Sequence, residues 1–204
     1  MTKPIPGRIF KLVAGHPGLD FVNTLDWRFR PGEREELLES YGDVLDFVEQ
    51  SRLLTAKQSR ELRRKTSAIA GDRVLAECEE LREALADVIY AQLDGRRPGL
   101  ASMKTLERSF QTARRRQNLA WSEPRFHWDW AGAEALPEFP FLLLARAASG
   151  LMLSEDFQKV RACDNPECRW LFLDTSKNRT RRWCDMKLCG NRMKARRFKA
   201  QHRE

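Results

Sequence analysis

Four cysteines near the carboxyl end, Cys163, Cys168, Cys184 and Cys189, follow the spacing C-x4-C-x15-C-x4-C. Two close pairs separated by a short spacer suit a tetrahedral ion. Each pair grips one edge, and the spacer returns the chain so that the second pair lies opposite the first. An all-thiolate set selects zinc, and four protein ligands leave no open position, so one structural zinc is expected rather than a catalytic one. Two disulfides, or four unrelated buried thiols, would use the same residues. Disulfides need an oxidising compartment, whereas the chain opens Met1-Thr2-Lys3-Pro4-Ile5-Pro6 with no apolar leader segment. A reducing, cytoplasmic location is therefore expected. The longest apolar stretch, Phe139 to Leu153, is broken by Arg146 and is too short for a bilayer, so no membrane partner is expected. Cys78 lies apart, on the apolar stripe Val74, Leu75, Cys78, Leu81, Leu85, Val88 and Ile89, and reads as a core thiol.

Charge is unevenly placed. Residues 1–160 hold 24 Lys and Arg against 24 Asp and Glu; residues 161–204 hold 13 against 5, so the whole formal charge of +8 belongs to the cysteine-bearing tail. A neutral body with a basic module points to a polyanionic partner for the module.

Periodicity makes the body mainly α. One helix follows Gly18, with Leu19, Val22, Leu25 and Phe29 on or near one face. Ser40 with Asp43, and Thr55 with Gln58, mark two further helix starts. Asp72 opens a long helix to about Leu93, and Asp94-Gly95-Arg96-Arg97-Pro98-Gly99 breaks it. A helix from Ser102 to about Asn118 follows, then an aromatic β-hairpin around Glu123-Pro124, then a helix from about Pro140 to Leu153. In the tail, Gln158–Ala162 and Arg169–Leu173 read as a hairpin whose tip is a metal knuckle. A helix from Met186 or Gly190 to His202 then brings in the last ligand. The predicted fold is a helical domain over 1–157 and a treble-clef-like zinc finger, hairpin and helix, over 158–204.

Cys189-Gly190-Asn191-Arg192 resembles the signature of the bacterial CGNR zinc-finger family, and the run CDNPECRWLFLDTSKNRTRRWCDMKLCGNRMKARR is similar to that finger along its length. Leu19-Asp20-Phe21-Val22-Asn23-Thr24 resembles the opening motif of the helical domain that precedes the finger in that family, a stress-induced transcription-regulator domain. The resemblance implies a bacterial cytoplasmic protein that binds zinc and DNA and regulates transcription.

Four thiolates around a divalent ion carry a formal charge of −2, which calls for cations and N–H donors nearby. Arg181, Arg182 and Arg192 can supply that need or contact nucleic acid, and Asn191 can cap or bond locally. Lys177, Arg179, Lys194, Arg196, Arg197, Lys199 and Arg203 exceed what one zinc uses; they read as phosphate contacts or as a solvated helix face. Arg192, Arg196, Lys199 and Arg203 fall on one helical stripe. Trp170 and Phe172 either form the module's small core or stack on unpaired bases, which keeps RNA as the alternative partner. Asp20 and Asn23 either fasten their helix to nearby backbone or line a pocket for a small-molecule effector. A homodimer is compatible with the helical body. No Ser/His/Asp or Cys/His set, phosphate loop or open metal site is apparent, so no enzymatic activity is expected.

Overall fold

The computed structural model describes residues 7–202; residues 1–6, Arg203 and Glu204 lie outside the described residues. Two compact units emerge, and they do not follow chain order. One comprises residues 7–10 and 38–150; the other joins residues 11–37 to 151–202.

The first unit is helical. Helix α2 (Tyr41–Gln50) starts where Ser40 accepts the Asp43 N–H. Helix α3 (Ala56–Lys65) carries the reciprocal Thr55/Gln58 capping box, which answers two N–H groups that the first turn leaves unpaired. The long α4 (Ala68–Leu93) begins four residues before Asp72, because the Ser67 side chain already caps the Ala70 N–H. Helix α5 (Leu100–Arg115) starts directly after Gly99, ahead of Ser102. Strands β3 (Asn118–Ser122) and β4 (Arg125–Asp129) form the expected antiparallel hairpin, and α6 (Phe139–Met152) follows. Val44, Phe47, Leu62, Leu81, Leu85, Ile89, Leu106 and Leu142 are buried in this core. Cys78 is buried with them, and burial raises its thiol pKa, as a core thiol requires. Among the described residues, no helix is long and apolar enough to cross a membrane.

The second unit opens with a short helix. Helix α1 (Pro17–Val22) has Pro17 in its first turn and His16 as N-cap, the ring Nδ1 accepting the Gly18 N–H at 3.0 Å. The helix expected to continue through Leu25 and Phe29 stops at Val22, since Asn23 and Thr24 turn their polar groups elsewhere. The Thr24 hydroxyl donates to Phe21 C=O at 2.7 Å. Trp27 then adopts a left-handed φ of 50°, which no helix accommodates. Leu25 lies instead in β1 (Leu25–Asp26), paired with β2 (Glu35–Glu36), and Phe29 lies in the loop between them. Strands β5 (Val160–Ala162) and β6 (Leu171–Leu173) form the finger hairpin; a π-turn over Met186–Gly190 leads into α7 (Asn191–Gln201).

The sequence division at 157/158 thus differs from the packing division. Residues 11–37 are held to the finger by strand β6. Asn23 Nδ2 donates to Leu171 C=O at 2.9 Å, and the Leu171 N–H donates back to Asn23 Oδ1 at 2.8 Å. The Leu173 N–H donates to Ala14 C=O at 2.8 Å. β6 is therefore paired by β5 on one side and by side-chain and main-chain groups of the amino-terminal segment as well.

Candidate metal centre and nucleic-acid face

The finger hairpin and the π-turn bring the four cysteines together. All are buried, all are free of disulfides, and their sulfurs lie within 4.8 Å of one another. The Cys168 and Cys184 sulfurs stand 3.8 Å apart. Tetrahedral zinc–thiolate bonds of about 2.3 Å place neighbouring sulfurs about 3.8 Å apart, so the set fits one zinc with no ligand missing. Cys163, Cys168, Cys184 and Cys189 are the zinc ligands. In the thiol form, hydrogen bonds from the other three cysteines push Cys189 far below the ordinary thiol range, while those with its partners push Cys168 up.

Local rules explain the approach of each pair. In the first knuckle, Asn165 is fully buried; its Oδ1 accepts the Glu167 N–H at 3.2 Å, its C=O accepts the Cys168 N–H at 3.0 Å, and its Nδ2 donates to Cys189 Sγ at 3.6 Å. A buried amide donor on a thiolate disperses the negative charge of the centre. Sequence reading passed over Asn165, although an Asn-Pro turn between two ligands was a signal that its side chain folds back locally. In the second knuckle, Asp185 Oδ1 accepts the Leu188 N–H at 2.9 Å and starts the π-turn. Gly190 has an ordinary helical φ, so its lack of a side chain is a matter of space. A Cβ there would stand 2.5 Å from Met186 Sδ and 3.2 Å from Trp183 Cδ1. Asn191 is exposed and makes no side-chain hydrogen bond among the described residues.

The basic residues sort into two groups. Arg181 is a structural hub: Nε donates to Trp183 C=O at 3.0 Å, and Nη2 donates to Val13 C=O at 3.1 Å and to Cys184 C=O. Its guanidinium also lies 4.2 Å over the Phe172 ring. Arg182 pairs with Asp164 at 2.5 Å, Arg192 lies 4.9 Å over Trp27, and Arg196 grips both oxygens of Glu167 at 3.0 and 2.9 Å. By contrast, Lys177, Arg179, Lys194, Arg197 and Lys199 have no side-chain partner among the described residues, and all are exposed. Arg203, the last of the expected cations, lies outside the described residues.

The stripe expected on α7 is thereby corrected in part. Arg192 and Arg196 on that stripe are engaged within the unit, while Lys194 and Arg197 project from the other side of a helix that buries no residue at all. Trp170 and Phe172 are 7% and 0% exposed, so they are the finger's core and are closed to bases.

Asp20 and Asn23 also fasten rather than receive. Asp20 Oδ1 accepts the Ala14 N–H at 3.0 Å, and burial, partly offset by hydrogen bonds from Ala14 and Val13, raises its carboxyl to about 6. Neither residue lines a cavity beside the cysteines. One such cavity, bounded by Lys11, Asp26, Trp27, Trp170, Leu188 and Arg192, measures about 60 Å³, far below the few hundred Å³ of small-molecule sites; the other, a groove of about 650 Å³, runs past Val13, Arg181, Trp183, Cys184 and Met186.

With this geometry in view, a family model for the CGNR zinc finger matches residues 159–202. The ABATE model, described as "Putative stress-induced transcription regulator", matches residues 15–155. No curated protein matches the chain. The two family models meet between 155 and 159, whereas packing places residues 11–37 with the finger.

Proposed function

Since the chain belongs to the ABATE family and carries a CGNR zinc finger, we propose that it is a DNA-binding transcription regulator of a bacterial cytoplasm, and not an enzyme. In this reading the zinc holds the finger's shape, the finger's cations meet phosphate, and the helical unit senses and dimerises. The observation that carries it is the set Lys177, Arg179, Lys194, Arg197 and Lys199, exposed and unpartnered among the described residues beside a centre that needs none of them. Among the described residues the remaining finger arginines already have partners, so the zinc's demand for positive neighbours does not account for these five. Duplex DNA is favoured over unpaired RNA because Trp170 and Phe172, the aromatics that would have stacked on bases, are buried. An effector, in this reading, binds the helical unit. There a cavity of about 300 Å³ is lined by Glu77, Glu80, Arg108, Ser109, Thr112 and Phe141, at the small end of ligand sites.

The non-enzymatic reading rests on the sites themselves. Ser122 and His127 approach to 3.3 Å, but on an exposed hairpin where, among the described residues, no third group orients the imidazole.

The test is titration of the zinc-loaded full chain with labelled duplex over a range of salt. Five phosphate contacts give a log–log salt slope of about −4.5, and replacing all five cations by Gln should remove most of that slope and of the affinity. Zinc content should stay at one per chain. Equal affinity and slope in the variant would sink the reading, and preference for single-stranded RNA over duplex would move it to the alternative.

A further inference from the structure

We propose that the apolar face of the β3–β4 hairpin is the surface through which two copies of this chain associate. The pairing sets Leu119 opposite Trp128 and Trp121 opposite Phe126. Because strand residues alternate, these four side chains share one face, while Ala120, Ser122, Arg125 and His127 occupy the other. The apolar face is open: Leu119 is 62% exposed, Trp121 55%, Phe126 69% and Trp128 39%. Trp121 and Phe126 already pack together, ring centroids 4.6 Å apart, and Arg114 lies 3.9 Å over Trp128 at the rim. Among the described residues the strands pack chiefly on each other, and apart from Arg114 over Trp128 no helix packs broadly against either strand. A lone two-stranded hairpin is marginal in water, and an apolar sheet face needs a second layer.

Size and symmetry favour a second copy as that layer. With aromatic side chains of about 150–250 Å² each, the four residues leave roughly 500 Å² of mostly apolar surface open. Two such faces together remove roughly 1,000 Å² from water, the lower limit for a specific interface. A two-fold interface must complement itself, and a flat, uncharged aromatic face does so without like-charge repulsion at its centre. A nucleic acid is less well matched: Arg125, the cation on the hairpin strands, falls on the opposite face, and Arg114 is already stacked on Trp128. The proposal gives the dimerisation of the reading above a surface, and it stands or falls without any nucleic acid present.

Sedimentation of the zinc-loaded full chain, free of nucleic acid, should show a monomer–dimer equilibrium with Kd on the order of micromolar for an interface of this size. Trp121→Ser combined with Phe126→Ser should weaken it by about a hundredfold or more. Both side chains are more than half exposed in the single chain, so at concentrations well below the Kd, where parent and variant are both monomeric, the thermal transition should barely move. Hydrogen exchange on the unaltered chain gives a readout that needs no variant: protection over residues 118–129 should rise with protein concentration. A chain that stays monomeric, a dimer indifferent to the double substitution, or a dimer that leaves 118–129 unprotected would each overturn the proposal. Protection of the hairpin only when single-stranded nucleic acid is added would assign the face to that partner instead.

Discussion

An asparagine amide can answer a strand's N–H and C=O together, and Asn23 does so for Leu171 across 148 residues of chain. Both partners are buried, so truncation leaves two main-chain groups without water or protein. Asn23→Ala should cost about 2–4 kcal/mol in the finger-bearing unit, read by denaturant unfolding; a loss within about 0.5 kcal/mol would show that the clamp carries no weight. Asp20 acts with the opposite sign. Its folded pKa of about 6 stands above the ordinary 3.8, so between those values the native state holds more protons than the unfolded chain. Its contribution to stability is therefore largest below pH 4 and is lost as pH rises through about 6. Asp20→Asn keeps an acceptor for the Ala14 N–H and has no charge to bury. Relative to the parent it should gain on the order of 2 kcal/mol between pH 4 and pH 7. A difference that stays flat with pH would place the carboxyl in better contact with water than its burial indicates.

At the scale of elements, β6 is the seam. It pairs with β5, accepts the Asn23 clamp, binds Ala14 through Leu173, and lies between the two cysteine knuckles. Metal and amino-terminal segment therefore depend on the same strand. Structural zinc contributes on the order of 10 kcal/mol to modules of this size, which are too small to hold a sufficient core. Cys184→Ser should release the zinc and expose residues 151–202 to exchange and proteolysis. Residues 11–37 should lose protection with them, while 38–150 keeps its helicity. If 11–37 stayed protected in the metal-free variant, β6 would not be the strand on which it depends. For the same reason, truncation near residue 160 is an ambiguous test of nucleic-acid binding, because it also strips Asn23 of Leu171. Most of these elements were legible from local chemistry. Ser40/Asp43 and Thr55/Gln58 started their helices as expected, and Glu123-Pro124 marked its hairpin. The helix drawn through Leu25 and Phe29 was not real, because a 3.6-residue pattern cannot report that Asn23 is drawn to a distant strand or that Trp27 turns left-handed.

Across the whole molecule, local patterns and long-range packing settle different questions. The metal site was readable in full, since ligand identity and spacing within 27 consecutive residues dictate the coordination almost without reference to the rest of the chain. The excess of positive charge in the last fifth was equally plain, because charge is a property of composition. Which cations remain available was not. Arg181, Arg182, Arg192 and Arg196 look like their neighbours in the sequence, yet carbonyls, carboxylates and a tryptophan already hold them. The union of residues 11–37 with the finger, and the aromatic face left open on the β3–β4 hairpin, likewise depend on which surfaces meet. Coordination and capping act over a few residues and leave a spacing behind. Hydrogen bonds between segments far apart in the chain, and the covering or exposure of a face, leave none, so they are decided only when the chain has folded.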